Sequence, residues 1–306
     1  FSVPIGELYY RPGDKSGWRL DVVTILSHRT LYCQEGMYCA FPGLATGDDQ
    51  LFLTFRITPA PNQRTHIDTR SRCLVGTIQN DKFNLLSELK EDRYTGIQDP
   101  SITCYDGKLF LNYFIYAGTV KWHTKSRVKN LGVQIKASSN GGLSWYPHGS
   151  ISGEVATSEP IVFVNGIPLL AVYRPNADYE VSDLFYQKGG FSSWKFLSRI
   201  AGQPGKSFQE PALLDLGNKL LCIHRVFDKG LGYSTLYSNF NDWEDLTWTN
   251  PVPLWSGVSP NLYRLPDGQI VLSYTHRTSK PYRICARTSR NAGATWGKEI
   301  VLRVTD

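Results

Sequence analysis

The chain has 306 residues, a formal net charge of +6, 41% hydrophobic residues and 13% aromatic residues, with 27 Gly and 17 Pro spread along its length. No apolar run approaches the roughly 18 residues of a membrane-spanning helix. No Lys/Arg run at helical spacing and no nucleic-acid-binding motif occurs, which excludes nucleic acid as the expected partner.

Phe1 opens the chain with neither Met nor a charged-then-apolar leader, which fits either a removed signal peptide or a boundary placed here. The expected setting is secreted or extracellular. Trp18 to Leu26 reads as a single strand. From there the text repeats. The pairs Phe41-Pro42, Asp99-Pro100, Glu159-Pro160, Glu210-Pro211 and Ser259-Pro260 follow one another at steps of 58, 60, 51 and 49 residues. After each pair come a short apolar run, a Gly/Asp/Asn turn and a second apolar run: LFLTFR, KLFLNYF, PLLAVYR, KLLCIHR and QIVLSYTHR. Two further strand-like segments complete each unit, as in DLFYQK and SWKFLSRI after PLLAVYR. Four antiparallel strands every 50–60 residues predict a propeller blade. The expected fold is therefore all-β: a single domain over residues 1–306 and a five-bladed β-propeller, with six blades as the alternative if the N-terminus makes a degenerate one. The Trp18–Leu26 strand is expected to close the ring by joining the last blade.

Six cysteines punctuate the chain: Cys33, Cys39, Cys73, Cys104, Cys222 and Cys285. None forms a CxxC pair, so no metal site is expected, and no cofactor. Cys33 and Cys39 could bridge a loop, with Cys73 a partner for either. Cys104, Cys222 and Cys285 lie in apolar segments and read as small buried hydrophobes.

The turn between the third and fourth strands reads Ser138-Ser139-Asn140-Gly141-Gly142-Leu143-Ser144-Trp145, and again Ser289-Arg290-Asn291-Ala292-Gly293-Ala294-Thr295-Trp296. Asn bonds its own backbone, Gly supplies positive φ and Trp packs between blades. The pattern resembles the Asp-box of the sialidase superfamily, with Asn in place of Asp. In that family the box is structural.

Three of the five residues before proline are carboxylates, Asp99, Glu159 and Glu210, and Arg174 and Arg225 each follow their glutamate by 15 residues. The start of strand one and the end of strand two share a face, so each Glu/Arg pair is expected side by side near the central channel. Arg56 and Arg277 end strand two in blades one and five, while Phe114 stands there in blade two. Several carboxylates and arginines converging on one channel would be costly to desolvate for stability alone. A ligand-binding funnel explains them better.

SEPIVFVNGIPLLAVYR and QEPALLDLGNKLLCIHR resemble the element of sialidases and endosialidases that carries a functional glutamate and substrate-gripping arginines. That resemblance implies two candidate sets: Glu159 with Arg174 and Arg225, and Glu210 with Arg225 and Arg277. It also implies Asp68 as a candidate acid and a tyrosine nucleophile, for which Tyr263 and Tyr233 are the positions considered. The first-blade Arg-Ile-Pro motif is replaced by Ala40-Phe41-Pro42. A second resemblance, to five-bladed arabinanases and xylosidases, implies Asp99, Glu159 and Glu210 as base, modulator and acid. A glutamate beside arginine suits a base or nucleophile better than an acid, which favours Asp99 or Asp68 as the acid. The expected activity is hydrolysis of a glycosidic bond in a glycan with acidic sugars, by a monomer. The arginines and His224 would bind substrate. The alternatives are a non-catalytic glycan- or protein-binding propeller, or a polysaccharide lyase using His224 beside Arg225.

Overall fold

A computed structural model of the chain describes residues 4–8, 25–47, 49–60, 68–92, 95–118, 129–188, 192–231, 233–242 and 246–305, and its regular elements are all β-strands. Blade one comprises Met37–Gly47, Gln50–Pro59, Arg72–Gln79 and Lys82–Leu89. Blade two comprises Thr95–Tyr105, Lys108–Ala117, Lys129–Ser138 and Tyr146–Ser152, with the short Ser192–Ser193 segment added in parallel at its edge. Blade three holds Val162–Val164, Ile167–Asn176, Tyr179–Tyr186 and Lys195–Ala201. Blade four holds Lys206–Asp215, Lys219–Asp228, Tyr233–Asp242 and Val252–Ser256. Blade five holds Val258–Arg264, Ile270–His276, Tyr282–Ser289 and Ile300–Thr305. Within each blade the four strands pair antiparallel in chain order. The fold is the expected five-bladed β-propeller.

The two-residue period of a strand distributes its side chains between neighbouring blades. In blade four, Leu220 and Cys222 pack into the cluster shared with blade three, while Leu221 and Ile223 pack into the one shared with blade five. Blade three divides likewise: Leu170 and Val172 face blade two, and Leu169 and Ala171 face blade four. Second strands are therefore near-continuously apolar, because both of their faces are covered. Outer strands such as Lys82–Leu89 are mostly exposed.

The strand expected to close the ring falls mostly outside the described residues, which omit 18–24. Ile25–Thr30 pairs with Pro4–Leu8 in a separate two-stranded sheet. Among the described residues, blade five has four strands, with Ile300–Thr305 at its edge. The segment after Thr30 instead covers blade one, where Leu31 and Tyr32 pack on Leu53, Phe55 and Ile57. None of the six cysteines is in a disulfide, so neither Cys33–Cys39 nor a Cys73 bridge forms.

The two S-x-N-x-G-x-[ST]-W turns match bond for bond. Ser138 Oγ accepts from Gly142 N at 2.9 Å, and Asn140 Oδ1 accepts from Ser144 N at 3.0 Å. Ser289 Oγ accepts from Gly293 N at 2.9 Å, and Asn291 Oδ1 accepts from Thr295 N at 2.9 Å. Ala292, at φ 56, takes the left-handed place that Gly141 fills in the other copy. Trp145 donates from Nε1 to Ser87 Oγ of blade one at 2.9 Å, so this turn also fastens neighbouring blades. Both turns lie on the face opposite the ends of the second strands.

Candidate active site

Four of the five proline pairs mark bulges; Glu159-Pro160 precedes its strand. In four blades the residue before proline has positive φ: Phe41 (56), Asp99 (45), Glu210 (46) and Ser259 (53). At each one the register to strand two slips, between Ala40 and Gly43, Gln98 and Ser101, Gln209 and Ala212, and Val258 and Asn261. A bulge tolerates the missing proline N–H and re-aims the side chain beside it. Holding four non-glycine residues in the left-handed region costs on the order of 1 kcal/mol or more each. Three of the four, Asp99, Glu210 and Ser259, are polar or charged.

The bulges fix which arginine meets which carboxylate. Arg56, Phe114 and Arg225 stand directly opposite Ala40, Gln98 and Gln209, each next to the residue before proline. Glu210 and Arg225 form the expected pair, with Arg225 Nη1 donating to Glu210 Oε1 at 2.7 Å. The other glutamate oxygen accepts from the Ser259 backbone N–H of blade five at 2.8 Å. Arg277 Nη2 donates to Ser259 Oγ at 3.0 Å. The set Glu210, Arg225 and Arg277 therefore assembles around Ser259.

The other set does not. In blade three Ala156 bridges Tyr173, so Arg174 lies level with Val155, four residues before Glu159. Its Nε donates instead to Asp183 at 2.6 Å. Glu159 reaches across the ring and accepts from Asn261 Nδ2 of blade five at 2.6 Å, while its backbone carbonyl accepts from Asn112 at 2.9 Å. In blade five, Thr275 stands opposite Val258, so Arg277 lies two residues past the position that Arg56 and Arg225 occupy. Arg56 is fully buried: it donates to Gln98 and lies under the rings of Tyr38 and Phe41.

Electrostatics separates the carboxyls. Burial pushes Asp99 up to about 8, with Glu210 adding to the rise and Arg56 opposing it, and its Oδ1 is buried without a hydrogen-bond partner. Burial also raises Glu159 well above the ordinary range, against the bond from Asn261 and with help from Glu210 and Asp99. Burial raises Asp68 too, but hydrogen bonds from Arg70 outweigh it and hold the carboxyl below its ordinary value. Asp68 accepts from Arg70 Nε at 2.9 Å and from Arg70 N at 2.8 Å, an arrangement for an anion and not for a proton donor. The expectation of Asp68 as an acid is corrected on that ground.

His224 is also corrected. It is fully buried between blades three and four, with Nε2 on Asn239 Oδ1 at 2.9 Å, Nδ1 on Ser182 Oγ at 3.3 Å and Phe208 edge-on. Burial lowers its pKa to about 4. The unfolded chain therefore takes up a proton below about pH 6.5 that the fold refuses, and stability falls as pH drops from 6.5 towards 4. His224→Gln should flatten that part of the stability–pH curve by about 3 kcal/mol, at ~1.4 kcal/mol per unit. Urea unfolding at pH 7 and pH 4 checks this, and equal pH slopes in the two proteins would contradict it.

Sequence reasoning missed three residues of this site. Tyr173 packs against the cluster between blades two and three, and burial first, then the charges of Asp99, Glu210 and Glu180, keep its phenol protonated. Glu180, on the hairpin rim of blade three, accepts from Gln209 and is raised by burial. Asn261 holds Glu159. No local pattern in the sequence marked any of the three. Of the tyrosines considered beforehand, Tyr263 is 53% exposed and pairs with Val271, towards the far end of the inner strand. The Tyr233 side chain lies outside the described residues. Among the described residues no group of three or more His, Cys, Asp or Glu is arranged to hold a metal ion, and no helix is long and apolar enough to cross a membrane.

No protein-family model and no curated protein matches the chain. Solved structures do. A Dyadobacter fermentans protein described as of unknown function is similar at TM-score 0.75 and 21% identity, over 89% of this chain and 85% of that one. A Trypanosoma rangeli sialidase in complex with sialic acid is similar at TM-score 0.63 and 14% identity, over 100% of this chain and 53% of that one. This chain thus spans about half the length of that sialidase. A Bacteroides thetaiotaomicron endo-arabinase is similar at TM-score 0.51 and 14% identity, over 80% of this chain and 92% of that one. At these identities the likeness is one of fold: a propeller shared with glycoside hydrolases.

Proposed function

We propose that this propeller hydrolyses a glycosidic bond, with Asp99 as the proton donor and Glu210 as its ionised partner. The observation that carries the reading is the contrast between these two carboxyls. Asp99 is half-buried, pushed up to about 8, and keeps one buried oxygen without a partner. Glu210 accepts from a guanidinium on one oxygen and a backbone N–H on the other, as a carboxylate does. One carboxyl kept protonated beside one kept charged is the arrangement that glycoside hydrolysis requires. Glu159, tied to Asn261, is itself raised by burial and by the charges of Glu210 and Asp99. Tyr173 is a phenol donor beside them.

The substrate reading is a glycan with acidic sugars, and the cation that supports it is Arg277. It is exposed, and one nitrogen is spent on Ser259, which leaves donors for a carboxylate. Arg225 is neutralised by Glu210 and Arg56 is buried, so the clamp is narrower than three converging arginines. Neighbours described as a sialidase and an endo-arabinase support the reaction class. A glycan array followed by analysis of reducing ends tests it. Expected is release of a new reducing end from an acidic glycan that the array retains. Retention with no cleavage would instead assign the funnel to recognition alone.

A further inference from the structure

We propose that Arg174 and Arg199, pinned by the buried carboxylate of Asp183, form a second anion site outside the axial funnel, which takes a carboxylate or sulfate group on a neighbouring sugar of the substrate. As a site for the substrate it rests on the glycan reading above; as an anion site it does not.

The triad lies across three strands of blade three. Asp183 pairs in register with Val172 on one side and Arg199 on the other. Val172 belongs to the cluster facing blade two, and Arg174 follows it by two residues, so all three charged residues lie on that side of the blade. Arg174 is near the end of the second strand, at the same end of the propeller as the residues before proline. Tyr173, its neighbour in the chain, feels the charges of Asp99 and Glu210. The triad thus lies on the blade-two side of blade three, at the end of the propeller that holds those carboxylates.

Asp183 is completely buried, and both of its oxygens accept from Nε atoms, from Arg174 at 2.6 Å and from Arg199. The side chains of Arg174 and Arg199 remain 36% and 40% exposed. Among the described residues their Nη atoms have no hydrogen-bond partner. Each guanidinium is therefore held by its inner nitrogen while its Nη pair is left for an outside acceptor. Balancing one buried carboxylate needs one cation; the second leaves the triad with a net charge of +1. Two orientationally fixed guanidiniums with spare donors and a net positive charge match a planar carboxylate or a sulfate. Their prior attachment to Asp183 lowers the entropy lost on binding.

The test uses the intact chain. Thermal unfolding is followed with inorganic sulfate and with sodium chloride at matched ionic strength, in wild type, Arg199→Gln and Arg277→Gln. Expected is a sulfate-specific rise in Tm in wild type and Arg277→Gln that Arg199→Gln loses. Titration with tri-galacturonate should give about tenfold weaker binding to Arg199→Gln, the scale of one lost charge-assisted hydrogen bond. Should Arg199→Gln fail to fold, Arg174→Gln removes the other fork and is read identically. An equal sulfate response in wild type and Arg199→Gln overturns the site. A lost sulfate response with unchanged tri-galacturonate binding overturns its assignment to the glycan. Neither readout needs turnover, so failure of the hydrolase reading would be seen separately, as binding without cleavage on the array.

Discussion

Asp99→Asn is expected to lower turnover about 10³-fold, within the range for removing a positioned general acid, and at the same time to make the fold more stable near pH 8. The two effects have one cause. Burial lifts the folded carboxyl to about 8 from its ordinary value of 3.8. Between those values the unfolded chain has released a proton that the fold still holds, so the contribution of Asp99 to stability falls as pH rises through the interval. Asparagine has no such proton. The gain of the variant near pH 8 over its gain near pH 4 is at most about 5 kcal/mol, at ~1.4 kcal/mol per unit. It will be smaller than that limit, because part of the side chain meets water. Urea unfolding of both proteins at the two pH values measures the difference, and groups common to both cancel. A gap that does not widen with pH would show that Asp99 is ionised in the fold, and would remove it as the acid.

Glu210→Gln is expected to lower kcat by about 10³-fold while leaving KM within a few-fold, as for loss of an interaction made in the transition state. The substitution keeps the shape and removes the charge. One end of the new amide must also present N–H groups to Arg225 Nη1 or to the Ser259 N–H, donor against donor. That mismatch should cost on the order of 1–3 kcal/mol of stability, read as a lower urea midpoint with an unchanged slope. Steady-state kinetics on the substrate found by array separates the roles. If KM rose and kcat stayed, Glu210 would serve only to hold Arg225 for binding, and the ionised partner of Asp99 would have to be sought elsewhere.

How much of this was legible in the sequence differs residue by residue. Five X-Pro steps and their paired apolar runs gave the blade count, because every blade must bury both faces of its inner strands. The two Asn-centred turns were legible because their bonds are local: Ser138, Asn140, Gly142 and Ser144 lie within seven residues of one another. Glu210 and Arg225 were legible as a pair. Glu159 and Arg174, at the same spacing, were not a pair, because the path between them runs through a tighter hairpin and a larger slip in register. His224 looked available beside Arg225, but strand alternation turns it into the seam with blade three.

Composition, period and turn chemistry are properties of neighbouring residues, and they determined the architecture: strands, blades, the two turns and the face on which polar groups gather. Which polar groups meet is set by contacts between distant segments. Asn261 reaching Glu159 joins residues 102 apart, and Ser259 N–H reaching Glu210 joins residues 49 apart. A bulge that shifts one strand by a single residue moves such a contact by several ångströms and to the other face of the sheet. Spacing in the chain counts residues and does not record that shift. The tertiary structure alone therefore decided that Glu210 meets both Arg225 and the Ser259 N–H, that Arg174 belongs to Asp183, and that Arg56 is buried.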